Sequence, residues 1–250
     1  MRLFLHPFLI PQPMKLFESI KRQIPNLITL GNLLCGVIAC LMATPVYGDV
    51  RIAALFICLG IFLDFFDGLT ARLLGVSSPL GKELDSLADV VTSGVAPAMI
   101  LVSLLNKGPD GRLAFVALLI PLFAAYRLAK FNLDERQGHS FLGLPVPSNA
   151  LIWVGLALWN DIPLDNNVFI LSIIVLSLIT DILMVSELPM FSLKFNFKDL
   201  SWKTNSIQYI FLLGCAAIIA ATREWYAISL IILWYILLSL LTQRKAPAHE

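Results

Sequence analysis

Residues 51–75 read RIAALFICLGIFLDFFDGLTARLLG, an apolar run interrupted near its end by two aspartates and one arginine. A helix needs about 20 predominantly apolar residues to cross a bilayer, so this length predicts a membrane span. The polar and small residues of its second half recur every three or four positions, which places them on one helical face: Asp64, Asp67, Gly68, Ala71 and Arg72. Charged groups inside a span are rare and usually functional.

The next apolar segment repeats this arrangement. It begins GKELDSLADVVTSG at residue 81, where Gly81, Asp85 and Asp89 are four residues apart and share one face. The linker at 76–80 is short, so the two helices are predicted to run antiparallel. Their acidic faces then lie at a similar depth and can converge.

The composition of the whole chain agrees with membrane spans. Hydrophobic residues make up 58% of the 250 residues and charged residues 14%, against roughly a quarter charged in soluble domains. This balance excludes a water-soluble fold for most of the chain and predicts an all-α, polytopic transmembrane helix bundle. We predict eight spans, of which the fifth and seventh are short: 26–45, 51–75, 82–105, 113–131, 146–160, 166–186, 206–221 and 225–242.

The remaining segments are short. Residues 14–23, MKLFESIKRQ, predict an amphipathic juxtamembrane helix, and residues 1–13 are expected to be a disordered extension. Residues 14–250 form a single transmembrane domain in this interpretation. The polar stretch 187–205 suits either an interfacial segment or a solvated loop.

Lys and Arg are concentrated on one side of the predicted topology. With the N-terminus inside, only four of the 18 lie outside: Arg51, Lys107, Arg112 and Arg223. Cytoplasmic loops carry such an excess, so we expect both termini in the cytoplasm and a site open to the cytoplasmic face of the plasma (inner) membrane. The net charge of +1 gives no general attraction for nucleic acid, and no nucleic-acid partner is expected.

The four aspartates require a compensating positive charge. Carboxylates that converge in a low dielectric repel one another and lose hydration, so a divalent cation is expected among them. Oxygen ligands without His or Cys favour Mg²⁺ or Mn²⁺, and such ions commonly bridge carboxylates to substrate phosphates. Gly68, Ala71 and Gly81 leave room for a bulky ligand, and Arg72 offers a fork of donors suited to phosphate. Close helix packing through small residues would explain the glycines but not four acids.

These residues resemble the signature of the CDP-alcohol phosphatidyltransferase family. The match reads Asp64-x-x-Asp67-Gly68-x-x-Ala71-Arg72, eight residues, then Gly81-x-x-x-Asp85-x-x-x-Asp89. The resemblance implies that Asp64, Asp67 and Asp85 bind metal, and that Asp89 both binds metal and acts as the catalytic base. It also implies contacts to CDP-diacylglycerol from Asn26, Thr29, Gly68, Ala71, Arg72, Ser78 and Gly81. Pro25 and Asn26 would equally suit the start of a helix, with Asn26 as its N-cap.

The chain is also similar to the serine-using branch of this family, in segments 28–39, 126–132 and 141–150. That resemblance implies transfer of a phosphatidyl group to the hydroxyl of L-serine, and the family leads us to expect a homodimer in the lipid bilayer. Arg127 and Lys130 are the candidate ligands of the acceptor, with Asn132 and Asn149 as weaker ones. Basic residues at inner helix ends also follow from membrane topology alone.

Two other functions remain open at this point. Within the family, the acceptor could be glycerol 3-phosphate or an inositol phosphate, which would need extra cations near the site. A cation-coupled transporter would also place carboxylates inside membrane helices. It would be expected to show broken helices and repeated halves, and residues 126–250 do not repeat the aspartate pattern of residues 1–125.

Overall fold

The computed structural model describes residues 13–108, 110–133, 141–191, 193 and 201–242, and it is a bundle of α-helices. Within those residues, six helical stretches are long and apolar enough to cross a membrane: Gln23–Met42, Val50–Leu74, Pro79–Leu105, Gly111–Leu133, Asn167–Val185 and Thr204–Thr222. Two further apolar helices, Val146–Ala157 and Ala227–Leu241, are shorter. The prediction of an all-α polytopic membrane protein is confirmed. Each predicted span coincides with a helix, and six of the eight have the length of a span.

The first helix, α1, runs from Pro13 to Met42. The amphipathic segment and the first span are therefore one continuous helix, and residues 1–12 lie outside the described residues. Pro25 lies inside α1, so the alternative in which Pro25 and Asn26 begin a helix is wrong. A proline inside a helix removes one backbone hydrogen bond, and α1 continues through it because the turns on both sides are formed.

The second helix, α2 (Val50–Leu74), is capped at both ends. The Asp49 carboxylate accepts hydrogen bonds from the first turn of α2, and Gly75 ends the helix with φ +65°. Only three residues then separate Gly75 from α3 (Pro79–Asp89). The Ser78 side chain caps α3 by accepting a hydrogen bond from the Gly81 N–H at 3.0 Å. This tight turn holds the acidic faces of α2 and α3 side by side.

The predicted third span is one rod built from three pieces. A π-helical segment, Val90–Val95, follows α3 directly and leads into α4 (Ala96–Leu105). π-Helical turns are rare and occur frequently at functional sites. Here the segment begins at the residue after Asp89.

The next helices return the chain twice to the end of the bundle where α2 and α3 join. A 3₁₀ segment, Gly111–Leu118, continues into α5 (Leu119–Leu133), and α6 (Val146–Ala157) and α7 (Asn167–Val185) follow. Two short strands, β1 (Phe141–Leu142) and β2 (Pro189–Met190), pair antiparallel at this end. Part of the polar stretch 187–205 is thus paired with the segment that precedes α6. Residues 192 and 194–200 of that stretch lie outside the described residues.

The last two helices form a hairpin at the edge of the bundle. They are α8 (Trp202–Thr222) and α9 (Ala227–Leu241). The expectation of a short seventh span is wrong, because α8 has 21 residues; the fifth, α6, is indeed short, with 12. Only 11% of the α8 span is buried, against 61% for the rod that contains Asp85 and Asp89.

The core lies where α1, α2, α4 and α6 meet. Small residues let α1 and α2 pack closely, since Ala39, Ala53 and Ala54 have no exposed surface. The short helix α6 is the most enclosed, and Trp153 at its centre is fully buried. Large apolar side chains such as Phe62 and Phe65 are exposed on the outside of the bundle, as a hydrocarbon environment permits.

Candidate active site

Three aspartates come together near the end of the bundle where α2 and α3 join. One carboxylate oxygen from each of Asp64, Asp67 and Asp85 lies within 4.8 Å of the other two. Asp67 is buried, and Asp64 and Asp85 are partly buried. The structure therefore places three of the four predicted aspartates in one group, which we call the carboxylate triad.

Asp89 lies one turn further into the bundle, as the last residue of α3, and is 8% exposed. Its Oδ1 accepts a hydrogen bond from the Asn32 amide of α1 at 3.3 Å. Its carboxyl group is close enough to Asp64 and Asp85 to interact with both. Asp89 is therefore a neighbour of the carboxylate triad, with a hydrogen-bond donor of its own.

Thr29 connects α1 to the triad. Its Oγ1 lies 2.6 Å from Asp67 Oδ2 and 3.1 Å from the Pro25 carbonyl oxygen. The contact to Asp67 is short, as expected for a hydroxyl that donates to a carboxylate. Thr29, which the family resemblance assigns to CDP-diacylglycerol, thus also fixes the orientation of a candidate metal ligand.

Close helix packing behind the aspartates brings Asn32 to Asp89. A Cβ atom added to Gly36 would lie 2.8 Å from the Thr92 Cα, and one added to Gly60 would lie 2.9 Å from Asn32 Oδ1. Thr92, in the π-helical segment, donates a hydrogen bond to the Asn32 carbonyl at 3.0 Å. Two glycines thus permit the approach of α1, α2 and the π-helical segment that this arrangement requires.

A cavity of about 290 Å³ opens beside the triad, and we call it the donor cavity. Asp67 and Asp85 line it. So do all the residues that the resemblance assigns to CDP-diacylglycerol: Asn26, Thr29, Gly68, Ala71, Arg72, Ser78 and Gly81. Gly68 faces open space, because a Cβ added there would have no neighbour within 4 Å. The structure thus brings these seven residues to one surface. Their contact with the nucleotide stays a prediction.

The atoms of the triad fit a hard divalent cation. All three donors are carboxylate oxygens, the ligands that Mg²⁺ and Mn²⁺ favour. Asp85 Oδ1 is buried without a hydrogen-bond partner in the described part of the chain. A bound cation would satisfy such an atom. Asp64, Asp67 and Asp85 are thus the residues that could hold the metal.

The two predicted acceptor ligands on α5 point in different directions. Arg127 is 8% exposed, lies over the Phe131 ring at 5.7 Å from its centre, and interacts electrostatically with Asp89. Its Nε is buried without a hydrogen-bond partner among the described residues. Lys130 instead forms an ion pair with Glu187 at 3.3 Å. Arg127 therefore faces the interior near Asp89, and Lys130 faces the loop after α7.

The weaker candidates also separate. The Asn132 amide donates to Ser86 Oγ at 2.9 Å, and its backbone carbonyl accepts from Lys82 Nζ at 3.0 Å, so Asn132 ties α5 to α3. Asn149 is fully buried in the first turn of α6, with neither amide atom partnered in the described chain. A ligand or water could satisfy both amide atoms of Asn149, whereas the amide nitrogen of Asn132 already has a partner.

Sequence reasoning missed three polar residues of the membrane helices. Asn32 holds Asp89, Lys82 lines the donor cavity, and Asp181 on α7 is 1% exposed outside the triad. A polar group in an apolar span was the available signal for Asn32 and Asp181. Lys82 gave no such signal, since a lysine near a helix start is ordinary at a membrane surface.

Comparison with known proteins gives consistent matches. The model of the family described as CDP-alcohol phosphatidyltransferase matches residues 22–196. A CDP-diacylglycerol–serine O-phosphatidyltransferase of Bacillus subtilis (strain 168) is 42% identical over 124 residues, which cover 50% of this chain and 69% of the relative. One from Methanocaldococcus jannaschii is 36% identical over 166 residues, covering 66% and 72%. One from Helicobacter pylori (strain J99) is 37% identical over 133 residues, covering 52% and 55%.

Proposed function

Since the chain belongs to the CDP-alcohol phosphatidyltransferase family, we propose that it transfers the phosphatidyl group of CDP-diacylglycerol to the hydroxyl of L-serine, releasing CMP. The names of its relatives support serine as the acceptor. The observation that carries the proposal is the carboxylate triad, of which Asp67 and Asp85 line the donor cavity. This arrangement suits a diphosphate, because it combines a candidate cation site with open space for the nucleotide.

The donor cavity would bind the cytidine diphosphate. A Mg²⁺ or Mn²⁺ held by Asp64, Asp67 and Asp85 would supply positive charge to the diphosphate. Arg72 and Lys82 line the same cavity and add two cationic side chains of the chain itself. The missing side chain at Gly68 leaves room for the nucleotide against α2.

Asp89 would act as the general base. In this step it accepts the proton of the serine hydroxyl, and the serine oxygen forms a bond to the β-phosphorus, which carries the diacylglycerol. The bond from that phosphorus to the bridging oxygen breaks, and CMP leaves with the electron pair. The Asn32 amide fixes one carboxylate oxygen of Asp89, so the other can face the acceptor.

Arg127 would bind the serine carboxylate. Its side chain is buried inside the bundle, and its Nε is a donor without a partner among the described residues. Lys130 is directed to Glu187, so this side chain supplies no second free cation. An acceptor with a phosphate group would need a second cation beside Arg127, and Lys130, the other basic side chain in the described part of α5, is already paired with Glu187. This disfavours glycerol 3-phosphate and inositol phosphate.

The membrane orientation follows from the same proposal. The donor cavity would open to the cytoplasmic face of the plasma membrane, with both termini on that side, as the Lys and Arg distribution indicates. We also expect a homodimer, from the family resemblance. Cysteine accessibility at residues 47 and 78 would report opposite sides of the membrane if this orientation is correct.

The test is release of CMP from CDP-diacylglycerol by the purified full-length chain in detergent micelles. Serine, glycerol 3-phosphate and inositol phosphate are supplied in turn, with Mg²⁺ or Mn²⁺ and with a chelator. We expect CMP and phosphatidylserine with serine alone, and no release in the chelator. Release with a phosphorylated alcohol but not with serine would contradict the proposed acceptor, and no release with any alcohol would contradict the proposed reaction.

A further inference from the structure

A second polar cavity lies at the end of the bundle opposite the donor cavity. It has a volume of about 400 Å³ and is enclosed by the start of α2, the end of α4 and the loop between α6 and α7. Arg51 and Lys107 line it, and we call it the cationic cavity. Arg51 and Gly68 are roughly 25 Å apart along α2, at about 1.5 Å per residue, so the two cavities belong to opposite sides of the membrane.

The two basic side chains of the cationic cavity are available to a ligand. Neither Arg51 nor Lys107 forms an ion pair with a described residue. They are two of the four basic residues that the predicted topology leaves on this side of the membrane. Convergence of two unpaired cations on one cavity favours a ligand with an anionic group.

The acidic side chains of this end are engaged elsewhere or lie outside the cavity. Asp49 lines the cavity, but its carboxylate accepts two backbone N–H groups in the first turn of α2. Glu224 accepts a hydrogen bond from the amide of Asn160 at 3.3 Å. Asp161 and Asp165 are exposed in the loop after α6 and do not line the cavity. The cations are therefore not neutralised by an ion pair within the described chain.

An apolar cavity of about 160 Å³ lies beside the cationic cavity, between α6, α7 and α9. Trp153 and Leu156 of α6 form its buried floor. Ser172 of α7 and Leu230 of α9 also line it, and both are exposed. The apolar cavity thus opens at the outside of the bundle, where the hydrocarbon of the bilayer would lie.

Trp159 lines both cavities and forms the boundary between them. Its ring lies 4.9 Å from the ring of Tyr226 and 5.5 Å from that of Phe169, measured between centroids. Trp and Tyr are enriched where membrane meets water, so the boundary coincides with the expected level of that interface. The cavities therefore form one surface that is apolar on its membrane side and cationic on its water side.

We propose that the two cavities together bind a phospholipid with an anionic head group, from the leaflet at this end of the bundle. The phosphate contacts Arg51 and Lys107, and part of one acyl chain lies in the apolar cavity. An apolar cavity of about 150 Å³ accepts a ligand of the size of benzene, so this cavity takes only a segment of the chain. The proposal is independent of the proposed function, because these cavities share no residue with the donor cavity.

The test measures how tightly the delipidated full-length chain in detergent retains phosphatidylglycerol, by native mass spectrometry. The dissociation constant of the first bound lipid should rise roughly tenfold or more in the double variant Arg51→Gln/Lys107→Gln, because two cationic contacts to the phosphate are lost. Arg112→Gln is the matched control, since Arg112 lies at the same end and pairs with Asp110. Its constant should stay within about twofold. An unchanged constant in the double variant, or an equal rise in Arg112→Gln, would overturn the proposal.

A second variant tests the apolar cavity without changing the cations. Ser172→Trp fills the opening of that cavity and should raise the same dissociation constant roughly fivefold or more. Leu171→Trp is its control, because Leu171 is 60% exposed on the same helix and does not line the cavity. Retention as tight as in wild type by Ser172→Trp would show that no chain occupies the cavity, and the proposal would fail.

Three further measurements identify the ligand and its place. Inorganic phosphate should not displace the lipid at equal concentration, and phosphatidylcholine, with no net charge, should bind roughly fivefold more weakly or less. Displacement by phosphate would indicate a site for a soluble anion, and equal affinity for phosphatidylcholine would exclude recognition of charge; either result overturns the proposal. Arg72→Gln should leave the constant within about twofold, because Arg72 lines the donor cavity. A tenfold rise in that variant would place the lipid in the donor cavity instead.

Discussion

The donor side and the acceptor side of the site are built in different ways. The donor side consists of α1, α2 and α3, and most of its residues lie within the 26 positions from Asp64 to Asp89. The proposed acceptor side takes Arg127 from α5 and Asn149 from α6. A short helical hairpin with α1 thus forms the donor side, and the packing of helices further along the chain forms the other.

We therefore assign the catalytic chemistry to the donor side and the choice of acceptor to the acceptor side. The hairpin brings the triad and Asp89 together by local geometry, and α1 orients Asp67 and Asp89 through Thr29 and Asn32. The proposed acceptor side depends on how α5 packs against its neighbours, and it can change without disturbing the aspartates. Substitutions on the donor side should therefore abolish the reaction, whereas those on the acceptor side should change the affinity for one substrate.

The largest effect is expected for Asp89→Asn. Removal of a general base lowers kcat by about 10²- to 10⁴-fold, while CDP-diacylglycerol should still bind to the donor cavity. Turnover and equilibrium binding of the CDP-lipid are measured on the same preparation. Asp181→Asn is the control, because Asp181 is an equally buried aspartate outside the triad, and normal kcat in Asp89→Asn would contradict the role of the base.

A smaller effect is expected for Thr29→Val, which removes the hydroxyl that orients Asp67. Loss of such a partner weakens metal binding by about 10- to 100-fold. The affinity for Mn²⁺ can be measured by electron paramagnetic resonance without turnover. Thr44→Val serves as the control, since Thr44 bonds only to its own helix end. An unchanged Mn²⁺ affinity in Thr29→Val would show that Asp67 needs no support or binds no metal.

Two glycines should give opposite results when changed to alanine. Gly68→Ala places a methyl group in the open donor cavity, so KM for CDP-diacylglycerol should rise roughly fivefold or more while the melting temperature does not fall. Gly36→Ala places a methyl group against the Thr92 backbone and should destabilise the fold by about 1–3 kcal/mol. Thermal unfolding and steady-state kinetics of both variants distinguish the two roles, and a destabilised Gly68→Ala would refute the assignment of open space.

The smallest effect is expected for Lys130→Gln. Its partner Glu187 is exposed and Lys130 itself partly so, and pairs at a protein surface contribute about 0–1 kcal/mol. The KM for serine should therefore change by no more than about twofold, whereas Arg127→Gln should raise it about tenfold or more. If both substitutions raised it equally, the acceptor pocket would include the loop after α7.

The sequence could predict the donor side because its geometry is local. The spacing of Asp64, Asp67 and Asp85 determines a helical face, and a short linker determines that two such faces meet. Residue spacing does not predict the contact of Asn32 with Asp89. That contact depends on Gly36 and Gly60, which leave room for a neighbouring helix to approach closely.

The acceptor side shows the same limit more strongly. Arg127 and Lys130 are one helical turn apart, and the sequence predicts both as acceptor ligands. In the structure Lys130 pairs with Glu187 of the segment 187–191, whereas Arg127 is buried. The burial of Tyr235 depends on its contacts with Phe191 and with Phe211 of α8, which periodicity within α9 does not predict. Periodicity predicts which side of a helix is apolar, and it does not predict which other helix covers it.

The π-helical segment after Asp89 has a genetic consequence. A π-helical turn corresponds to one residue more than an α-helical turn holds. Because the π-helical turn takes up that extra residue, deletion of a single codon within residues 90–95 would leave an α-helix there and keep the faces of α3 and α4 nearly aligned as they are. Deletion of a single codon within α4 would instead rotate the residues after it by about 100° and turn their buried faces outward. Of these two in-frame deletions, the one within α4 should behave as a null allele although every signature residue is still encoded, and the one within residues 90–95 should preserve the fold.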